Sequence, residues 1–454
     1  MARGKKAAKA LTPEERLEQA LVPVEEQPYP IPENWCWVTI GAIASVKGGK
    51  RIPKGNKLVE YKTDHPYIRV TDFDNRSIAT EQVKYIDEET FKLIRNYTIS
   101  TQDVYISIAG TIGKVGIIPD DLDGANLTEN AAKITNIRGV EKNFLLWLLE
   151  SEVAQSQMRD ATISTTQPKL ALFRIENVKF PLSPLTEQQR IVSRIESLFA
   201  KLDEAKEKAQ AVVDGFELRK SAILHKAFMG ELARISAGRT IPLEAIVKTI
   251  RIGPFGSALH KEDYIIGGIP VINPKHIIHQ QIVPDEKVTI TEGKASELMP
   301  YRLRAGDIVV GRRGEMGRSA PVTKKEDGWL CGTGSLIIRL QEGYSGAFYS
   351  QIIASHSSVQ YLEENCVGST MKNLNEKIIK SLPVPNYTME QQKTIVDILN
   401  HLLEKEQRAK EAAEAVLSQI DTMKKAILAR AFRGALGTND PAEEWAGELV
   451  KKMI

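Results

Sequence analysis

Pro284-Asp285 followed by Glu292-Gly293-Lys294 is the stretch of this chain whose residue types could cut a phosphodiester. Two carboxylates would hold a divalent cation and a lysine would balance the charge developing on phosphate. "AGTIGKVG" (109–116) approaches a phosphate-binding loop. That loop needs a glycine where Ile108 stands and a hydroxyl where Val115 stands. "GPFGSAL" (253–259) has the glycines of a cofactor turn without the rest of a dinucleotide fingerprint. Cys36, Cys331 and Cys366 are scattered, and His276 and His279 have no further ligands nearby in sequence, so no disulfide framework and no metal site is expected. No Asn-Pro-Pro-Tyr-like motif is present to hold an extruded adenine.

Positive charge on turns is better supplied than catalysis. "KGGKRIPKGNK" (47–57) carries Lys47, Lys50, Arg51, Lys54 and Lys57 with no acid, and "GRRGEMGR" (311–318) carries Arg312, Arg313 and Arg318. Such turns attract phosphates, and arginine can also address guanine while asparagine or glutamine addresses adenine. Lys114, Arg69, Asn75, Gln167, Lys169, Asn273, Lys275, His276, Lys372 and Asn373 lie in segments placed to share the same surface. Together they favour a reader of double-stranded nucleic acid.

The elements that must carry these turns are written twice. "SAILHKAFMGEL" (221–232) returns as "KAILARAFRGAL" (425–436), 204 positions on. At that offset Asp103 meets Asp307, Gly110 meets Gly314, Gly113 meets Gly317, Lys114 meets Arg318 and Phe144 meets Phe348. "EQQRIV" (187–192) matches "EQQKTIV" (390–396) after a one-residue insertion. The nuclease-like trio is not repeated: Glu81, Glu88 and Thr90 stand at the equivalent positions.

Each repeat ends in a long helix. Ile191, Ile195, Leu198, Leu202, Ala205, Ala209, Val212 and Phe216 follow the alternating four-and-three spacing of a coiled-coil seam. The second seam is Ile395, Leu399, Leu402, Glu406, Ala409, Ala413, Val416, Ile420, Met423 and Ile427, with Glu406 its one polar member. About 42 residues at 1.5 Å each make a rod of roughly 60 Å. The inner halves read as mixed α/β: "DVYISIAG" and "DIVVGRRG" as strand then turn, and 144–158 and 348–362 as one helix each. "FPLSPL" (180–185) and "LPVPNY" (382–387) are expected to stop regular structure and launch the long helices.

A chain of 454 residues, 42% hydrophobic and 26% charged, has room for two or more globular domains. No apolar run approaches the ~18 residues of a membrane span, and the basic start lacks an apolar signal core, so a cytoplasmic protein with no membrane partner is expected. A net charge of +3 neither demands nor excludes nucleic acid, which leaves the distribution of charge to decide.

The order variable–helix–variable–helix resembles the specificity (S) subunit of type I restriction–modification systems, the HsdS family. The carriers are "PLSPLTEQQRIVSRIESLF", "PVPNYTMEQQKTIVDIL", the "AILHKAF" and "AILARAF" helix ends, and the "YIRVTDF", "GIPVINPKHI" and "GPFGSAL" segments, over roughly residues 30–437. The resemblance implies an α+β fold: two similar mixed α/β target-recognition domains in pseudo-two-fold repeat, separated by two long helices forming an antiparallel coiled coil. The domains would be 1–34 extension, 35–180 first recognition domain, 181–234 first spacer helix, 235–382 second recognition domain, 383–437 second spacer helix and 438–454 amphipathic tail. It implies a non-catalytic subunit that binds a split double-stranded DNA site, two methyltransferase (M) subunits and restriction (R) subunits. No cofactor would be bound by this chain; S-adenosylmethionine, ATP and Mg²⁺ would sit on partners. "KGGKRIPKG" against "RIGPFGSAL" predicts unlike half-sites. The alternatives are a stand-alone nuclease using Asp285, Glu292 and Lys294, and a coiled-coil scaffold that binds no DNA. Thr12 is the expected cap of an N-terminal helix and Asp440 of a C-terminal one, both contacting M or packing across the junction between the chain ends.

Overall fold

The computed structural model describes residues 12–160, 168–254, 258–366 and 374–453. The chain forms two compact units, Met1–Lys208 with Val416–Ile454, and Ala209–Ala415. Both divisions fall inside the long helices rather than at their ends.

Each unit is built on a four-stranded antiparallel sheet. In the first its order is Ser45–Gly48, Ala131–Thr135, Val104–Ser107, Val115–Gly116. In the second it is Val247–Ile252, Ser335–Leu340, Ile308–Gly311, Ser319–Pro321. The central strands are apolar on both faces because both faces are covered. Val104 and Ile106 pack in one core with Phe144 and Leu148, while Tyr105 packs in another with Ile68 and Phe73. Ile308 and Val310 join Phe348 and Ile352, and Val309 joins Ile272 and Ile277. A small second sheet sets Pro66–Ile68 parallel to Asn126–Leu127, and Ile269–Ile272 parallel to Leu330–Cys331.

The twice-written segment ends the long helices and enters the cores. Gly230 and Gly434 adopt φ of 77° and 69°, a left-handed turn that glycine takes without strain. The next amide reaches back five residues, Glu231 to Lys226 at 3.0 Å and Ala435 to Arg430 at 2.8 Å, which closes each helix. Phe432 then meets Phe144 edge-on, ring centroids 5.3 Å apart, and Phe228 meets Phe348 at 5.9 Å. Each globular head is therefore completed by the helix end that the other repeat encodes.

The start of each helix is fixed by one buried glutamine. Gln188 Nε2 donates to the Ser183 and Gly139 carbonyls at 2.9 and 3.2 Å, and its Oε1 accepts the Glu141 N–H at 2.7 Å. Gln392 does the same with Tyr387, Gly343 and Ser345 at 2.7, 3.1 and 2.7 Å. The two are 204 positions apart, so the one-residue insertion expected from the letters "EQQ" is corrected: the repeat keeps its register through the helix start.

Within each unit the long helices run antiparallel. In the first, Leu185–Asp214 faces Met389–Ala431 with Phe199 and Asp203 against Lys424. In the second, Phe216–Phe228 faces it with Phe216 against Lys410 and Arg219 against Glu406. Ile191, Ile195, Ala209, Phe216, Ile395, Leu399, Ala413 and Ile420 are buried; Leu198, Leu202, Ala205, Val212, Leu402 and Ile427 are half-buried. The expected seam needs correction at Ala409, Val416 and Met423, which are exposed. After Glu406 these alternate members move one position on, to Lys410, Leu417 and Lys424, while Ala413, Ile420 and Ile427 keep their places. Glu406 accepts from Arg219 Nε at 2.7 Å, and the two lysines place their ammonium groups over Phe216 and Phe199, 4.7 and 5.1 Å from the ring centroids.

Three further expectations are revised. The stretches 144–158 and 348–362 are each two helices, broken at the buried serines Ser151 and Ser355, whose extended backbone starts a new turn. The prolines of "FPL" and "PVPN" lie inside strands Lys179–Leu182 and Pro383–Asn386, tolerated because each belongs to a two-stranded ribbon that is all edge. Thr12 caps Pro13–Ala20 with Glu15 returning the bond, but Asp440 caps only a turn at Ala442; the tail helix is Gly447–Met453. The two terminal segments meet in the first unit, where Asn34 donates to the Asp440 carbonyl at 2.9 Å and Trp445 to that of Trp35 at 3.2 Å.

Gln188→Ala or Gln392→Ala strands two buried carbonyls and one amide, and should cost about 3 kcal/mol each in urea unfolding. Gln189→Ala, at an exposed position, should cost less than about 0.5 kcal/mol.

Candidate nucleic-acid interface

The turn at 127–131 is a backbone knot. Gly49 and Lys50 donate to the carbonyls of Ala131 and Leu127 at 3.0 and 2.8 Å, Thr128 to Ile68 at 3.0 Å, Ile108 to Asn130 at 2.8 Å, and Leu170 to Ile108 at 2.9 Å. The second unit repeats it at 331–335. Gly253 donates to Ser335 at 2.9 Å, Gly332 to Ile272 at 2.9 Å, Arg312 to Gly334 at 2.9 Å, and Leu374 to Arg312 at 3.0 Å. Gly49 and Gly253 are required by close approach, since a Cβ there would stand 2.1 and 1.9 Å from the carbonyl oxygens of Thr128 and Gly332. Four distant segments are thus pinned at one point in each unit.

The expected cations gather on these knots, with different side chains on each. In the first unit Lys47 and Lys50 are exposed. The Tyr67 hydroxyl holds the Lys50 carbonyl at 2.8 Å, and its ammonium lies 5.5 Å from the Tyr97 ring. Arg51 Nε donates to Glu129 Oε1 at 2.6 Å, and Lys169 Nζ to the Glu129 carbonyl at 3.3 Å. Lys54 and Lys57 are exposed farther along the same loop. In the second unit Arg312 is half-buried with Nε on the Leu374 carbonyl at 3.1 Å. Burial, and then the charge of Arg313, pull its pKa below the ordinary arginine value. Arg313 is exposed, and the Asn273 side chain packs beside Gly332.

A second group is largely committed within the protein. The Arg69 guanidinium is bound to buried Asp72 at 2.6 and 3.1 Å and to the Gln82 carbonyl at 3.0 Å. Lys275 reaches Asp285 at 3.4 Å; Arg318 reaches Glu315 at 2.6 Å and the Pro274 carbonyl at 3.1 Å. Asn75 is exposed at the tip of hairpin 73–78 and Lys114 on the glycine turn beside it. His276 is buried at the base of the equivalent hairpin of the second unit, where its carbonyl accepts the Val283 N–H at 2.8 Å. Gln167, Lys372 and Asn373 lie outside the described residues.

The nuclease-like residues do not converge. Glu292 pairs with Arg302 at 2.5 Å, Lys294 with Glu297 at 3.3 Å and Asp263 at 3.6 Å, and Asp285 with Lys275. Among the described residues no group of three or more His, Cys, Asp or Glu is placed to hold a metal ion. Burial pushes the Cys36 thiol up to about 12, which leaves it unreactive as a nucleophile at neutral pH. Among the described residues no helix is long and apolar enough to cross a membrane.

A search for acid-free basic runs overlooks two residues that the geometry adds. Glu129 stands at the centre of the first cluster, and Phe173, exposed, lies on the short helix just after Lys169. The signal for Glu129 was the mismatch of the repeats: "LTEN" (127–130) faces "CGTG" (331–334), an acid against Thr333.

The model of the family described as "Type I restriction modification DNA specificity domain" matches residues 32–213 and 252–415. The Escherichia coli EcoBI specificity subunit of a type I restriction enzyme is 26% identical over 212 residues, 44% of this chain and 43% of that one. The EcoKI specificity subunit of Escherichia coli K12 is 23% identical over 435 residues, 91% of each chain. The crystal structure of the HsdS subunit from Thermoanaerobacter tengcongensis aligns with a TM-score of 0.67 at 20% identity, over 91% of this chain and all of the other.

His276 supports a pH prediction. Its Nδ1 accepts the Asn273 N–H at 3.1 Å, where in the other unit Asp72 accepts that of Arg69 at 2.8 Å. Only the neutral ring offers that lone pair. Burial, and then Lys275, depress its pKa from the ordinary ~6.5. A depressed folded value means that the stabilisation is present above about pH 6.5 and is lost as pH falls through the folded value. Amide protection in the hairpin 277–282 should fall as pH drops below about 6.5, and His276→Asp should flatten that profile. Equal protection across the range in the unaltered chain overturns the assignment.

Proposed function

The chain belongs to the family of type I restriction–modification DNA specificity subunits, and from that premise we propose that it reads a bipartite, asymmetric site in double-stranded DNA, one half per unit. It is the recognition subunit and not the enzyme. The observation that carries the reading is the pair of knots: one backbone arrangement, built twice, presents Lys47, Lys50, Arg51 and Lys169 in one unit and Arg312, Arg313 and Asn273 in the other. Equal scaffolds with unequal side chains suit two different short sequences read in the same manner. Lysines grip phosphates, and arginine or asparagine can address base edges.

In this reading the chain places two methyltransferase subunits for adenine N6 methylation, and restriction subunits for ATP-dependent translocation and cleavage. S-adenosylmethionine and the pocket for an extruded adenine belong to the methyltransferase, ATP and Mg²⁺ to the restriction subunit.

Genomic adenine methylation compared in cells with and without this chain tests the reading. Methylated adenines should fall in two unlike short sequences separated by a fixed number of unread bases. A palindromic motif, or none, overturns it. The long helices should set the unread length. Deleting 202–208 together with 409–415 shortens each helix by about 10 Å, so the spacer should contract by about three base pairs. An unchanged spacer in a methylating complex removes the helices from that role.

A further inference from the structure

We propose that Arg51 and Glu129 together read a single G·C base pair in the half-site of the first unit, an inference that rests on the DNA-reading assignment above. A carboxylate among Lys47, Lys50, Arg51 and Lys169 opposes phosphate binding, so a surface that only gripped the backbone would gain nothing from it. Yet Glu129 is held in place. The Thr128 hydroxyl donates to its Oε2 at 3.0 Å, Arg51 Nε donates to its Oε1 at 2.6 Å, and its side chain is 24% exposed. Arg51 remains 79% exposed, and among the described residues its terminal nitrogens have no hydrogen-bond partner.

This donor and acceptor arrangement matches one base pair. In the major groove guanine offers two acceptors, O6 and N7, and cytosine offers an N4 amine. The terminal N–H groups of Arg51 suit the first, and the carboxylate of Glu129 accepts from the second. Tethering by Glu129 also fixes the guanidinium plane before DNA arrives, which a lone arginine on a loop lacks. An A·T pair also offers an amine, on adenine N6, but no base of it carries two adjacent acceptors for the guanidinium, and the thymine methyl stands in the groove, so Arg51 loses its bidentate partner there. Thr333 stands at the equivalent point of the second unit, so that knot reads by other means.

Arg51→Ala and Glu129→Ala, each expressed with the partner subunits, should relax the methylated motif at one and the same position by roughly tenfold. The other positions and the other half-site should keep their preference. Lys47→Ala should lower methylation evenly across sequences instead. A two-part motif that neither variant alters overturns the pairing alone, as do changes at two different positions or an even loss at all positions. A wild-type chain that yields no two-part motif overturns the assignment above and the pairing with it.

Discussion

Two aromatic contacts carry the fold. Phe432 against Phe144 and Phe228 against Phe348 bury the end of each long helix in a head encoded by the other repeat. Neither head has a finished core without that visitor: Leu428, Ala431 and Phe432 belong to the first, and Leu224, Ala227 and Phe228 to the second. Deep apolar burial of this kind resists local opening, so each repeat's helical segment, broken once at Gly215 in the first and continuous in the second, has a glutamine fixing its start and a phenylalanine fixing its end.

That anchoring leaves the outer edge of each head free to vary. The sheet and helices bury their side chains against one another. The knots at 127–131 and 331–335 are held by main-chain bonds that do not depend on which side chains they display. Glycine is demanded at 49 and 253 by the carbonyls opposite. Lys47, Lys50, Arg51 and Arg313 stand exposed on or near these knots, and there the two units differ in charge, reach and hydrogen-bonding pattern.

Much of this was legible from residue patterns, for physical reasons. Helix ends, turn glycines and central strands follow from local rules and recur at one offset, so Gly230 and Gly434 or Val104 and Ile308 announce themselves. The seam was readable throughout at Ala413, Ile420 and Ile427, but beyond Glu406 its alternate members were not: two lysines set their ammonium groups over aromatic rings there, a choice that polarity scales hide. The match of "EQQ" misled because letters were aligned, whereas the buried amide of Gln188 corresponds to that of Gln392. The candidate site was half legible. Its cations showed as runs, but that Arg69 is spent on Asp72 and that Arg51 meets Glu129 depends on chain segments brought together only by folding.

The exchange of helix ends has a consequence for heredity. A recombination event between two related genes, crossing over within the matched "AIL…AF" codons, would join a foreign variable region to resident helices. Every phenylalanine, glutamine and closing glycine would still find its counterpart, because those residues are the same in both copies. Only the parts outside those shared anchors would change, and the interior would need no period of repair.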